Sequence, residues 1–235
     1  MNIKPLFSAL ALSALVATAT SANAAEIDLS FTNLTQGIYY TPLLATAHAY
    51  GFHNYELGEA ASLQLQMMAE GGDTSGLETL ATDAGALIAA NIAGGLSAPG
   101  TTANLDAWDI GDMTHLSLAG MLLPTNDGFV GLDSWKIPSE AGSYTLYLSA
   151  YDAGTEANDE IINGMGMSGD GGIPFDPGAM NSTGATGVAA TEGNTNIHVH
   201  RGNVGDTDGD GGISDLDSRV HRWLNPVAKL VVTVK

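Results

Sequence analysis

Polar and apolar residues alternate in several short stretches of the chain, and this pattern predicts β-strands. Residues 27–31 alternate most clearly, as expected for a strand with one buried face. Longer apolar runs at residues 114–123 and 144–151 predict two further strands. Residues 196–200 and the β-branched run at 228–234 predict two more near the C-terminus. The pattern therefore indicates a mainly β-sheet protein.

Two stretches place their apolar residues at helical spacing instead. Residues 56–70 carry leucine, alanine and methionine broadly on one side, and the glycine pair at 71–72 ends the run. Residues 75–83 predict a second helix, in which Ser75 is the N-cap and Glu78 completes a capping box. One or two short helices should therefore pack beside the sheet.

Two glycine-rich stretches give no clear periodicity. Residues 84–102 are small and apolar, and they fit either a buried strand or a packed loop. Residues 164–193 contain two prolines and predict a long surface loop, mobile unless ion contacts hold it. Thirty glycines and few aromatic residues agree with a turn-rich, all-β chain.

The first 24 residues have the features of a signal peptide. Lys4 supplies a positive charge, residues 6–16 form an apolar core, and residues 22–24 give a small-x-small cleavage site. The apolar core is short for a membrane anchor, and no later stretch is long and apolar enough to span a bilayer. We expect export to the periplasm, the cell surface or the extracellular space, with residues 25–235 forming a single domain.

Charge narrows the possible partners. Removing the leader removes one lysine, so 6 basic residues remain against 26 acidic ones, a formal charge of 6 − 26 = −20. Such a chain is repelled by nucleic acid and by anionic lipid headgroups. The sequence contains no cysteine, so stability must come from the core, with bound ions as a plausible supplement.

Acidic, glycine-containing loops follow two of the predicted strands. The run at 121–124 leads into the loop at 126–128, and the run at 144–151 leads into the loop at 152–156. If the strands share a sheet, these carboxylates gather at its end. Clustered carboxylates repel one another unless a cation neutralises them, and hard oxygen ligands suit calcium.

Several ordered motifs resemble one known family. They are NDGFVGLDS (126–134), YDAGTEANDE (151–160), NIHVHRG (196–202), GGISDLDSRVHRW (211–223) and NPVAKLVVTV (225–234). Together they are similar to the spondin-type domain, or F-spondin domain, of extracellular matrix proteins and of bacterial secreted proteins. The resemblance implies a C2-like antiparallel β-sandwich with one or two short helices and long glycine-rich loops.

The resemblance also implies a calcium ion among the loops at one end of the sandwich. Two of the aspartates that hold it in the family fall on Asp127 and Asp152. The third falls near Asp106 or Asp109, of which we favour Asp109.

Two further carboxylates and one departure from the family pattern bear on this candidate site. Gly128 stands where an aromatic residue often follows the first aspartate, and the carboxylate itself is kept. Asp133 and Glu156 are second choices as ligands. Their alternative role is turn capping, because acidic residues beside glycine often bond only to backbone N–H groups.

A second candidate calcium site is the segment 206–217, DTDGDGGISDLD, which fits the twelve-residue calcium loop. It departs from that loop in having aspartate at position 12, and a predicted strand precedes it where an EF-hand has a helix. The alternative is a solvated acidic hairpin loop. The candidate ligands are Asp206, Asp208, Asp210 and Asp217.

Two histidines raise a different possibility. His198 and His200 lie on one face of a predicted strand, which is how some zinc enzymes present ligands, and His115 or His221 would be the third ligand. Nothing in the sequence marks a general base or an open coordination position. Sequences typical of a serine nucleophile elbow or a phosphate-binding loop are absent. Residues 152–155 are similar to the catalytic loop of aspartic proteases, but such a protease needs a second aspartate in a matching loop, and no second copy is present.

These observations predict a secreted, calcium-binding, non-catalytic module for adhesion or recognition. Its partner would be an extracellular protein or a carbohydrate, and not a nucleic acid. One alternative is a secreted metal-dependent hydrolase that uses His198 and His200 with nearby carboxylates. Another is a purely structural protein of the cell envelope or matrix.

Overall fold

The computed structural model describes residues 25–189 and 193–235. The predicted signal peptide, residues 1–24, lies outside the described residues. No helix within the described ranges is long and apolar enough to cross a bilayer. The elements are β1 (Glu26–Asn33), β2 (Tyr39–Tyr40), β3 (Leu44–His48), α1 (Leu63–Gly71), α2 (Ser75–Asp83), β4 (Leu87–Ala90), β5 (Thr102–Asp109), β6 (His115–Leu123), β7 (Gly128–Lys136), β8 (Gly142–Asp152), β9 (His198–Val199) and β10 (Ala228–Val234).

The described strands form one sheet, and every pairing between them is antiparallel. The order along the sheet is β4-β3-β6-β7-β8-β10-β1-β5, with β2 attached to β6 and β9 attached to β8. Only two short helices accompany the strands of the described chain. The prediction of an all-β fold with short helices at its side is therefore confirmed.

The main core lies on one face of this sheet and explains why the sheet folds over itself. Ile27, Leu29 and Phe31 of β1 are fully buried in the same apolar cluster as Leu118 of β6, although β1 and β6 are not neighbours in the sheet. Strands that are distant in the order can share a core only if the sheet curls. The alternation at residues 27–31 thus marks the face that the curled sheet encloses.

A second apolar cluster covers the opposite face of β6. Leu65 and Met68 of α1 and Leu77 of α2 pack there with Met121 of β6 and Phe129 of β7. All nine residues of β6 are buried, because the curled sheet covers one of its faces and the helices cover the other. This two-sided burial accounts for the continuous apolar run of β6, which lacks the alternation of an exposed strand.

The first helix is shorter than the sequence predicts. It begins at Leu63, where Ser62 accepts a hydrogen bond from the Leu65 N–H at 3.1 Å. The preceding residues bond to a distant segment instead, with Gly58 N–H donating to the Ile197 carbonyl at 2.9 Å. The predicted start at residue 56 is wrong because this tertiary pairing competes with the helix.

The second helix has the predicted bounds and a different cap. Thr74 is its N-cap residue, and Asp73 accepts a hydrogen bond from the Ser75 N–H at 2.9 Å. The Thr74 hydroxyl donates to Glu78 at 2.6 Å. Ser75 therefore opens the helix one position after the cap.

Buried carboxylates hold the long glycine-rich loop in place. Asp215 is 1% exposed, and it accepts hydrogen bonds from the Ile162 N–H at 2.7 Å and from the Thr183 N–H at 2.7 Å. The Thr183 hydroxyl donates to the same carboxylate at 2.8 Å. One side chain thus joins the residue range just before this loop and a residue within the loop to the segment around residue 215.

Glu160 performs the same task for the following segment. Its buried carboxylate accepts hydrogen bonds from the Val204 and Gly205 N–H groups, at 2.5 and 2.8 Å, and from the Ser214 hydroxyl at 2.6 Å. Side-chain to backbone hydrogen bonds therefore pin loops that have no periodic structure of their own. Hydrogen bonds to a charged acceptor are stronger than those between neutral groups.

We predict that Asp215→Asn lowers the free energy of unfolding by about 1–3 kcal/mol, the cost of leaving buried hydrogen-bonding groups unsatisfied. The new amide group would face an N–H donor with a donor of its own. Urea unfolding measures the change. The control is Asp83→Asn on the exposed end of α2, which should change stability by less than about 0.5 kcal/mol. Equal effects of the two substitutions would contradict the anchoring role of Asp215.

Candidate metal site

The sheet brings Asp127 and Asp152 together at one end. Asp127 lies in the turn between β6 and β7, and Asp152 is the last residue of β8. Gly128 is directly opposite Asp152 in the β7–β8 ladder, and the Ala153 N–H donates to the Asp127 carbonyl at 3.3 Å. Both carboxylates are buried, at 0% and 2% exposure. The two predicted ligands, which belong to separate loops in the sequence, are thus close neighbours in the structure.

The Asp127 carboxylate is only half satisfied. Its Oδ2 accepts hydrogen bonds from the Thr155 N–H at 2.8 Å and the Glu156 N–H at 3.1 Å. Its buried Oδ1 has no hydrogen-bond partner among the residues that the structure describes. Burial, and then the nearby Asp152 carboxylate, raise the pKa of Asp127 to about 7.

Glu156 is the third carboxylate of this cluster. Its Oε1 accepts hydrogen bonds from the Asn126 side chain at 3.1 Å and from the Gly172 N–H. Its Oε2 is buried and finds no hydrogen-bond partner in the described chain. Burial raises the pKa of Glu156 to about 7, and the charges of Glu70 and Asp159 add to this effect.

Asp152 is better satisfied than its neighbours. Its Oδ1 accepts a hydrogen bond from the Gly154 N–H at 2.8 Å, and its Oδ2 accepts one from the Asn158 side chain at 2.7 Å. The imidazole Nδ1 of His198 lies 3.7 Å from Oδ1. The carboxylate oxygens that lack a partner are therefore those of Asp127 and Glu156, and a positive charge would be most stabilising beside them.

This donor set fits a hard cation. Two buried carboxylate oxygens have no donor, and both belong to groups whose pKa is raised by burial and by like charges. Among the described residues, no group of three or more His, Cys, Asp or Glu side chains is arranged to hold a metal. An ion here would therefore complete its shell with amide, carbonyl or water oxygens, which calcium accepts readily.

Asp109 does not join this cluster. It is exposed at the end of β5, opposite Glu26 of β1, and it accepts a hydrogen bond from the Gly111 N–H at 2.9 Å. Through β10, this end of β1 corresponds to Gly142 at the start of β8, whereas Asp152 is its last residue. The two aspartates are separated by the length of an 11-residue strand, roughly 30 Å. Asp106 lies on the same exposed edge strand.

Asp133, which with Glu156 is a second-choice calcium ligand, has a capping role. Its Oδ1 accepts a hydrogen bond from the Asn54 N–H at 2.9 Å, and its Oδ2 lies 2.5 Å from Nδ1 of His53. In the sequence, Asp133 and Glu156 are equivalent candidates, because both stand near glycines. Only Glu156 reaches the Asp127 cluster, because its backbone N–H binds Asp127.

The acidic loop at 206–217 is closed by hydrogen bonds to its own backbone. Asp206 accepts from the Ile213 and Ser214 N–H groups at 2.9 and 3.1 Å, and from the Asp208 N–H at 2.9 Å. These bonds lower the pKa of Asp206.

The other predicted ligands in this loop have different partners or are exposed to solvent. Asp208 accepts a hydrogen bond from the Asp210 N–H at 3.2 Å, and both residues are exposed. Asp217 binds the Arg219 guanidinium at 2.6 Å, which lowers the pKa of Asp217 to about 2. Among the described residues, the four predicted ligands are therefore not gathered around one point.

The predicted zinc ligands also have separate surroundings. Nδ1 of His198 lies 2.8 Å from the Asn196 carbonyl, and Nδ1 of His200 accepts a hydrogen bond from the Gly202 N–H at 2.9 Å. The proposed third ligands do not complete a site with them. His221 faces Asp176 at 3.4 Å, and His115 stacks on His48 at the start of β6.

Comparison with known proteins agrees with the resemblance noted in the sequence. The Spondin_N family model matches residues 30–161, more than half of the chain. No curated protein matches it. The matched residues include Asp127, Asp152 and Glu156, whereas the loop at 206–217 lies beyond them.

In a chelating buffer, we predict that Asp127→Asn leaves the melting temperature unchanged or raises it. The asparagine oxygen keeps the hydrogen bonds from residues 155 and 156, and the substitution removes a buried negative charge beside Asp152. Calorimetry with EDTA measures this effect. Asp152→Asn is the comparison, and it should destabilise because both of its carboxylate oxygens are already bonded. A large loss of stability in Asp127→Asn would contradict the described charge conflict.

We also predict that Asp206→Ala increases protease cutting between residues 202 and 218 in the absence of calcium, because it removes three hydrogen bonds that close the loop. Asp210→Ala is the matched control, and it should cut at the wild-type rate under these conditions. If the loop binds calcium, Asp210→Ala should be cut faster than wild type once calcium is added. Limited proteolysis followed by mass spectrometry separates these outcomes.

Proposed function

The chain belongs to the Spondin_N family, and on this basis we propose that it is an exported, non-catalytic recognition module whose loop surface is ordered by calcium. One observation supports calcium most directly. The Oδ1 atom of Asp127 and the Oε2 atom of Glu156 are both buried without a donor, and the carboxylates of Asp152 and Glu156 lie close enough to raise the pKa of Asp127. A divalent cation supplies the missing positive charge.

Calcium would draw the carboxylates of Asp127, Asp152 and Glu156 together as ligands, because the described side chains do not form a three-carboxylate group by themselves. Calcium neutralises their mutual repulsion, and it fixes the turn at residues 125–128 against the loop at 152–160. Glu156 extends this order to the glycine-rich loop, because it accepts the Gly172 N–H. A partner then meets a preformed surface, so less ordering entropy opposes binding.

The proposed setting follows from the leader-like residues 1–24 and the strongly acidic chain. The partner is an extracellular protein or a carbohydrate, since the charge disfavours nucleic acid and anionic membranes. A purely structural envelope or matrix protein would use the same ion without partner affinity. Pull-down on surface polymers of the producing cell, with and without chelator, distinguishes recognition from that structural role.

We predict that calcium stabilises the protein by RT ln(1 + [Ca]/Kd), about 2.7 kcal/mol when free calcium is 100 times Kd. Asp127→Ala and Asp152→Ala should each remove most of the accompanying rise in melting temperature. Asp109→Ala is the matched control, and it should keep the full rise because this residue lies at the opposite end of the sheet. Differential scanning calorimetry in calcium and in EDTA measures all four proteins.

Two results would contradict the proposal. The first is a wild-type melting curve that is the same in calcium and in chelator. The second is an equal loss of the calcium effect in Asp109→Ala and Asp127→Ala.

A further inference from the structure

A cleft of about 400 Å³ opens on the outer face of the sheet, where β7 and β8 separate. The two strands pair only from Gly128 to Gly131, opposite residues 149–152. Beyond this point β7 continues beside β6, and β8 continues beside β10. The fork leaves a depression between the strands, and its volume lies within the roughly 300–1,000 Å³ of small-molecule sites.

Tyrosine rings form the floor and the rim of this cleft. Tyr55 lies against Gly131, where an added Cβ would stand 2.5 Å from the Tyr55 hydroxyl oxygen. Its ring packs on Phe129 and Tyr151 with centroid distances of 5.0 and 5.4 Å. Tyr147 lines the rim and is 65% exposed. Glycine at position 131 therefore makes room for an aromatic floor.

A fixed polar group stands beside these rings. Asp133 holds the backbone of Asn54 and lies 2.5 Å from Nδ1 of His53. The other ring nitrogen of His53 lies 3.6 Å from Glu56, whose side chain is 57% exposed. The arrangement presents an exposed carboxylate next to a positioned imidazole. Carboxylates accept strong hydrogen bonds from hydroxyl groups.

The charges around the cleft select the kind of ligand. Of the described residues that line it, none is lysine or arginine, whereas Glu56 and Asp133 are acidic. Lys229 lies opposite Tyr147 on β10 but is outside the lining. The acidic lining and the acidic chain disfavour uronate, sulfate and phosphate groups. Asp133 is already engaged by His53 and the backbone, so Glu56 is the carboxylate that remains exposed to a ligand.

We propose that this cleft binds a neutral oligosaccharide, with Tyr147 against the apolar face of a sugar ring and Glu56 accepting hydrogen bonds from its hydroxyls. Tyrosine suits this task because its ring is apolar and its hydroxyl is polar. The inference rests on the proposed recognition function and names its ligand class. The binding site is separate from the calcium cluster, although Tyr151 in its lining directly precedes Asp152.

The test is titration calorimetry, in calcium, with neutral pentasaccharides of β-1,4-glucose, β-1,3-glucose, α-1,4-glucose and N-acetylglucosamine. Oligogalacturonate and deacetylated chitosan oligomers are the anionic and cationic comparisons. At least one neutral sugar should bind, and Tyr147→Ala should weaken it by about tenfold, as expected for the loss of one aromatic contact. Glu56→Gln should weaken it as well.

The matched control is Tyr50→Ala, which removes a tyrosine that is 85% exposed and outside the cleft. Its affinity should equal that of the wild type. The inference is overturned if no neutral sugar binds, if only a charged oligomer binds, or if Tyr50→Ala and Tyr147→Ala behave alike. Cleavage of the sugar during the titration would overturn the assignment of the cleft as a binding site.

The calcium-dependent rise in melting temperature is measured on the same samples. If calcium stabilises the protein but no sugar binds, the cleft inference fails and the proposed calcium site stands. If a neutral sugar binds through Tyr147 and calcium has no effect, the calcium proposal fails and the cleft inference stands.

Discussion

Buried carboxylates that accept hydrogen bonds from loop backbone are the interaction on which this structure depends. Glu160 and Asp215 each bind three donors, and together they connect residues that are 32 to 54 positions apart in the sequence. A buried charge without partners is costly, so the loops must present their N–H groups at these points. A chain with 30 glycines and no cysteine thereby acquires ordered loops from side-chain to backbone bonds.

The candidate metal site is the same arrangement left incomplete. Asp127 binds two backbone N–H groups through one oxygen, its other oxygen has no donor, and Asp152 and Glu156 lie close enough for their charges to raise the pKa of Asp127. Elsewhere the backbone supplies the compensation for burial, whereas here burial and repulsion together raise the pKa of Asp127 and Glu156 to about 7. The proposed calcium ion would compensate the buried charge of these carboxylates, as backbone N–H donors compensate that of Glu160 and Asp215.

Strand β8 connects the two proposed sites. Its last residue, Asp152, belongs to the carboxylate cluster, while Tyr147 and Tyr151 line the cleft at the fork. The β7–β8 ladder between them spans only residues 128–131 and 149–152. Fixing Asp127 against Asp152 therefore fixes the strand pair that forms the upper boundary of the cleft. Calcium binding and ligand binding would share this short ladder.

The sequence by itself determined the features that depend on local patterns: the all-β class, the bounds of α2 and β10, and the two acidic loops at Asp127 and Asp152. Alternation and capping act over a few residues, so they can be recognised without the fold. Only the tertiary structure decided that Asp109 lies at the opposite end of the sheet, that Glu156 joins the cluster, and where the β7–β8 fork opens. These outcomes depend on strand order, register and hydrogen bonds between distant residues, which local periodicity does not encode.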